Sequence, residues 1–230
     1  MNKKYNNFKK DKFCVIEKAI SSDLAMFCYN YFLMQKQVYD TCLKERYLSS
    51  FETMSGLYED QTSQVPETYS HYSNIAFETL MLKIQPTMEK VTGLTLIPNY
   101  SYARIYKNRD ILKRHKDRFS CEISTTLNLG GDSWPIYIDP TGSDNVINER
   151  ENLMKPNAPK GVKVDLKSGD MLVYRGNLLE HWREPFQGQN CAQVFLHYTN
   201  SKTKGSKENI FDGRPHLGLP TWFRGKKILI

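Results

Sequence analysis

Residues able to do chemistry gather in the stretch Lys113–Asn128, KRHKDRFSCEISTTLN. His115 and Asp117 stand two positions apart there, and the run after them alternates in the manner of a β-strand. Side chains on a strand repeat with period two, so an imidazole and a carboxylate at i and i+2 face the same way. They make two thirds of a facial triad, two His and one carboxylate, the donor set that holds non-haem Fe(II) with open positions opposite. Alone the pair carries little weight. Among chains with five His, roughly one in four would show such a pair by chance. A third ligand, and a fold to deliver it, must come from elsewhere in the chain.

His71, His181, His197 and His216 remain as candidates. His181 is best placed. It follows Leu166–Tyr174 (LKSGDMLVY), where a Gly169-Asp170 turn feeds a strand, and it precedes a Gly188 turn into Gln193–Tyr198. Its separation from Asp117 (181 − 117 = 64) leaves room for the strands that would carry it across a barrel. His71, in a variable loop, and His216, after the last strand, are read as bystanders. Cys121 and Cys191 read as small buried residues. Trp134 and Trp182 suit packing or the border of a substrate channel.

The elements that must position these residues come as helices first and strands afterwards. Residues 1–12 read as a polar leader and Phe13–Ile20 as a short strand. Ser21, Ser22 and Asp23 offer a helix start. That helix should run to about Arg46, packing through Leu24, Phe27, Cys28, Tyr31 and Val38. Residues 48–72 form a long loop of the kind that covers sites. A second helix from Asn74 buries Phe77, Leu80, Met81, Ile84, Met88 and Val91 and stops at Gly93, with Pro86 expected to kink or split it. Strands follow at about 100–106, 119–129, 135–139, 162–166, 171–175 and 191–198, and 140–160 is another long loop. Tyr100, Tyr102, Arg104 and Tyr106 share one strand face, suited either to solvent or to the wall of an anion pocket. The order predicts a mainly β chain with flanking helices, an α+β class. At 230 residues it reads as one domain over 13–230, with a β core at about 95–200.

The formal charge of +7 and a pI near 9.0 help attract anions, whether a small acid, a phosphate group or nucleic acid. The basic residues form no stripe interleaved with aromatics, so nucleic acid is the less favoured partner. Five cysteines without a CxxC or zinc-finger spacing predict a reducing, cytoplasmic setting. No apolar run reaches membrane length, and the amino terminus lacks a secretory signal. Oligomeric state is not legible.

Three blocks bring in a resemblance. Tyr106-Lys-Asn-Arg-Asp-Ile-Leu112-Lys-Arg-His115-Lys-Asp117 is similar to the pattern Tyr-x-x-Gly-x-x-Leu-x-x-His-x-Asp. The alternating strand after it and the Gly-Asp turn leading to His181 complete the likeness, over about residues 100–198. The chain thereby resembles the 2-oxoglutarate/Fe(II)-dependent dioxygenases, nearest the prolyl-4-hydroxylase-like branch and its phage and marine microbial relatives. The resemblance implies a double-stranded β-helix, a jelly roll with the helices packed outside. It also implies Fe(II) held by the catalytic residues His115, Asp117 and His181, with 2-oxoglutarate and O2 as cosubstrates. The products would be succinate, CO2 and a hydroxylated substrate, which could be a prolyl or other peptide side chain or a small molecule.

Two positions depart from the family pattern. The family's Arg or Lys about ten residues past the distal His, which holds the cosubstrate's 5-carboxylate, is Cys191 here. Arg183 is the first substitute, since it could share the inward direction of His181, and Arg104 beside Tyr102 is the second. Tyr106 matches a family Tyr that can hydrogen-bond the cosubstrate, and Gln193 and His197 could assist. A surface ion pair with Glu184 is the competing role for Arg183. Arg109 also replaces the usual Gly. The missing distal cation motivates a different class, a non-catalytic jelly roll that keeps the metal as a structural or sensing site.

Overall fold

Period-two patterning over most of the second half of the chain yields short strands, and the 3.6-residue pattern before it yields helices. The computed structural model describes residues 6–49 and 52–226. The first part holds α1 (Phe8–Asp11), β1 (Phe13–Ile16), α2 (Ser22–Lys44), β2 (Leu57–Tyr58), β3 (Tyr69–Tyr72) and α3 (Ile75–Thr92). Then come β4 (Leu96–Lys107), β5 (Leu112–His115), β6 (Ser124–Gly131), β7 (Ile136–Ile138) and β8 (Val146–Asn148). The series closes with β9 (Leu153–Met154), β10 (Val162–Val164), β11 (Met171–Tyr174), β12 (His181–Arg183) and β13 (Asn190–Asn200).

A seven-stranded sheet runs β1-β11-β6-β13-β4-β3-β2, and a four-stranded sheet runs β10-β7-β12-β5. The fold is a mostly β double-stranded β-helix with helices on the outside of the large sheet. Phe32, Phe77, Met81, Met88, Leu127, Val194 and Tyr198 belong to the core between helices and large sheet. Each such buried side chain contributes about 1.5–3 kcal/mol relative to exposure. Phe13, Ile136, Ile138, Leu172, Tyr174 and Leu179 make a second cluster, drawn from strands of both sheets.

Several elements differ from the sequence reading. Residues 8–11 are helical and Phe8 is buried, so the polar leader does not extend to residue 12; residues 1–5 lie outside the described residues. The strand begun at Phe13 ends at Ile16. Along α2 the buried face is Ala25, Cys28, Phe32 and Tyr39, whereas Phe27 and Val38 are 66% and 56% exposed. Aromatic contacts set that rotation: Phe32 meets Tyr69 and Phe77 at ring-centroid distances of 5.4 and 5.3 Å, and Tyr39 meets Tyr69 at 5.5 Å.

Helix α3 runs unbroken through Pro86, with Met81, Ile84 and Met88 buried on either side of it, and Val91 is exposed rather than buried. Asn74 caps its start and Gly93 (φ 70°) its end. Phe119–Cys121 is a 3-10 turn, so the strand expected from 119 begins at Ser124. The loop at 48–72 contributes β2 and β3 to the large sheet, and the loop at 140–160 carries the β8–β9 hairpin. Arg109 adopts the left-handed φ of 71° with its N–H on Phe186 O at 2.8 Å, a turn that a glycine would make without strain.

Candidate metal centre

The last residue of β5 and the first of β12 are the two imidazoles, directly opposite one another in the antiparallel ladder. Their ring centroids lie 4.3 Å apart. His115 Nδ1 donates to Lys113 O at 2.7 Å, and His181 Nδ1 donates to Leu179 O at 3.0 Å. A carbonyl can only accept, so both protons sit on Nδ1 and both Nε2 lone pairs are free for a metal. Each Nε2 lies 3.5 Å from Asp117 Oδ1.

Asp117 does not share a strand with His115 as the alternation suggested, because β5 ends at His115. The loop beyond it is held by the Asp117 N–H on Gly176 O at 2.9 Å, with Oδ2 accepting from Ser124 Oγ at 2.8 Å. Burial opposes its charge, yet without a metal His181 and His115, when protonated at the same Nε2 atoms, outweigh this and hold the carboxyl well below its ordinary range; a metal would take the place of those protons. Two imidazole nitrogens and a carboxylate oxygen thus converge within 4.8 Å of one another, a donor set that fits Fe(II) or a similar divalent metal.

A second close set, Asp117, Cys121 and His197, shares that carboxylate. Burial pushes the Cys121 thiol well above its ordinary range, and Tyr100 Oη meets its sulfur at 3.0 Å. Burial also lowers His197 to about 4, which keeps that ring neutral. A neutral thiol is a poor ligand beside two free imidazoles.

A cavity of about 200 Å³ opens beside the triad, and Tyr100, Tyr102, Arg104 and Tyr106 of β4 all line it. The polar-aromatic face therefore meets a pocket and not solvent. Gln64 and His115 join this cavity to an outer one of about 520 Å³, walled by residues 61–64 and by Glu149 and Arg150 of the two long loops, with Lys113 of β5.

Arg183 turns inward as its spacing from His181 predicts. It is 1% exposed, donates to Trp134 O and, at 3.2 Å, to Thr126 Oγ1, and lies 5.0 Å from the Trp134 ring centroid. No carboxylate pairs with it among the described residues, and its Nε has no hydrogen-bond partner. Burial drives its guanidinium below the ordinary range. Arg183 does not itself line the cavity; Tyr106 does, its ring meets that of Trp134 at 4.7 Å, and its buried hydroxyl has no hydrogen-bond partner.

Arg104 lines the cavity, and its Nε, like that of Arg183, has no hydrogen-bond partner. It donates to Gln64 Oε1 at 3.2 Å, lies 3.9 Å from Glu59 and stacks over Tyr102, whose hydroxyl also donates to Glu59. Gln193 is spent elsewhere: it bonds Thr126, Asn128 and Cys191 and does not line the cavity. His71 is buried in β3 against Gln35 and Asn74 instead of lying in a loop, and His216 bonds only the adjacent Leu217 O. Ser124 and Gly176, which hold Asp117, were not legible, because no spacing rule links a hydroxyl or a glycine to a ligand across loops.

No protein-family model matches the sequence. No curated protein matches it either. Solved structures do. SnoK, a non-haem α-ketoglutarate-dependent carbocyclase from nogalamycin biosynthesis, superposes with a TM-score of 0.60 over 84% of this chain and 81% of that one, at 10% identity. A prolyl-4-hydroxylase of Pseudomonas putida gives 0.52 over 84% and 95%, at 11% identity. HygX of Streptomyces hygroscopicus, with nickel and 2-oxoglutarate bound, gives 0.54 over 85% of each chain, at 14% identity. The fold is that of these oxygenases.

Proposed function

We propose that this protein is an Fe(II)- and 2-oxoglutarate-dependent dioxygenase that hydroxylates a substrate admitted through the outer cavity. The observation that carries this reading is the convergence of His115 Nε2, His181 Nε2 and Asp117 Oδ1 at a buried cavity. When bound, the metal and 2-oxoglutarate supply oxidative decarboxylation by O2, yielding succinate and CO2 and placing one oxygen atom in a substrate C–H bond. The chain supplies binding, orientation and exclusion of water.

His115, Asp117 and His181 would hold the metal, with Ser124 fixing the carboxylate rotamer. Arg183 would neutralise the cosubstrate's 5-carboxylate, because a buried guanidinium without an acid is costly until an anion arrives. The unpartnered Tyr106 hydroxyl, on the cavity wall, would hydrogen-bond the same molecule. Arg104 and Tyr102 belong to the substrate side, through Gln64 and Glu59 of the covering loop. An acid-free buried Arg183 counts against the non-catalytic metal module, whose motive was a missing cation. Among the described residues no helix is long and apolar enough to cross a membrane. The cytoplasmic assignment rests on five unbridged cysteines.

The deciding experiment adds 2-oxoglutarate to the anaerobic Fe(II) protein and then admits air. A visible charge-transfer band followed by slow succinate release is expected. Absence of both removes the proposal.

A further inference from the structure

Behind the two imidazoles lies a buried ion cluster that the proposed chemistry does not use. Arg114 and Glu180 are the immediate neighbours of His115 and His181, so the strand period turns them to the opposite face of the small sheet. Arg114 Nε donates to Glu180 Oε2 at 2.7 Å, a second guanidinium nitrogen donates to Asp139, and the third donates to Pro159 O at 2.6 Å. All three charged residues are buried, at 6%, 2% and 0% exposure for Arg114, Glu180 and Asp139. The guanidinium also lies 4.2 Å from the Trp182 ring centroid.

Residues 141–146 satisfy the remaining acceptors. Glu180 Oε1 accepts from the N–H groups of Asn145 at 2.5 Å and Val146 at 3.0 Å. Asn145 Nδ2 reaches Glu180 Oε2 at 3.0 Å and Asp139 Oδ2 at 2.9 Å. The Thr141 amide and hydroxyl donate to Asp139 Oδ1 at 2.9 and 2.7 Å. One cation and two carboxylates are thereby anchored to the loop whose Glu149 and Arg150 wall the outer cavity.

Such a cluster is needed because the ladder beneath it is weak. β5 is an edge strand of four residues, β12 has three, and their register shifts between His181 and Arg183. A slip of one residue would turn both imidazoles to the wrong face, and two short strands with a bulge do not specify register by themselves. Burying two carboxylates costs several kcal/mol each unless every lone pair is met, so apolar packing would be the cheaper way merely to fill this space.

We infer that Arg114, Glu180 and Asp139 are positioning residues. They lock the His115–His181 register from behind the sheet and tie it to the loop over the outer cavity. The inference rests on the proposed metal site and acts only through the two imidazoles.

Its test is titration of the purified full-length protein with Co(II), followed by visible absorption. Glu180→Gln keeps the shape and loses the charge, and Asn145→Ala loosens the same cluster from the loop side. Both variants are expected to keep the wild-type circular dichroism, bind Co(II) tenfold or more weakly, and show altered ligand-field bands, since changes in residues that orient metal ligands commonly cost 10–100-fold. A purely structural cluster would lower the melting temperature while leaving the spectrum of the folded protein unchanged. Wild-type Co(II) affinity and spectrum in the variants would overturn the inference. Should Glu180→Gln fail to fold, Asn145→Ala decides. Failure of the wild type to bind Co(II) would instead remove the metal reading itself.

Discussion

Two buried guanidiniums flank the His pair on opposite faces of the small sheet, and their surroundings differ in kind. Arg114 is met by two carboxylates and a carbonyl, with no nitrogen left over. Arg183 has only the Trp134 carbonyl, the Thr126 hydroxyl and an aromatic ring, and its Nε is orphaned. A fully matched buried cation suits the positioning role inferred for Arg114, and an unmatched one suits the anion-binding role proposed for Arg183. Burial is nearly equal at the two positions, so burial alone does not separate the roles.

This contrast can be broken by mutation. The largest effect is expected for Arg114→Ala, which strands two buried carboxylates and should lower unfolding free energy by about 3–5 kcal/mol, read from urea denaturation. Arg183→Met should leave stability within about 1 kcal/mol, because it removes an uncompensated buried charge at the cost of two hydrogen bonds. The same variant should weaken 2-oxoglutarate binding by about 10–100-fold, as expected from losing charge-assisted hydrogen bonds of about 1.5–3 kcal/mol. Calorimetry on the anaerobic metal-loaded protein checks this, and equal stability losses at Arg114 and Arg183 would erase the distinction. Arg104→Met, whose charge is shared with Glu59 and Gln64, should change cosubstrate affinity less than about threefold, within the usual reach of a rim contact.

The smallest effect concerns a buried group that stays neutral. Burial lowers His71 to about 4. Its contribution to stability is therefore complete above the unfolded value near 6.5 and falls away as pH drops from there to about 4. Urea midpoints between pH 7 and 4 should decline, and His71→Gln should flatten part of the decline. His197, lowered to about 4 by burial as well, contributes in the same direction over the same window.

The convergence of His115, Asp117 and His181 was anticipated from the short His-x-Asp spacing and the family resemblance, although strand periodicity does not account for it, since β5 ends at His115. The inward turn of Arg183 does follow strand period, two residues beyond His181 on β12. The partners of Arg114 were not, since Glu180 is 66 positions away and only the completed sheet brings them together. Helix α2 was recognised but rotated wrongly, because Phe27 and Val38 look as apolar as Phe32 and Tyr39 until the ring of Tyr69 selects the face. Arg109 adopts the left-handed turn conformation itself, where the family pattern has glycine. Backbone conformation there is fixed by the N–H bond to Phe186 O, not by the side chain.

Gly176 has a consequence of its own. A Cβ at that position would stand 2.3 Å from Asp117 Oδ2 and 2.5 Å from Ser124 Oγ. The hydrogen it carries in place of a methyl is thus a spacer gauge for the carboxylate. Replacing Gly176 with alanine would change no ligand, yet it would press on the one oxygen-donating arm of the triad and leave both imidazoles where they are. The room left for the Asp117 carboxylate is thus set by a residue that offers no donor atom of its own side chain.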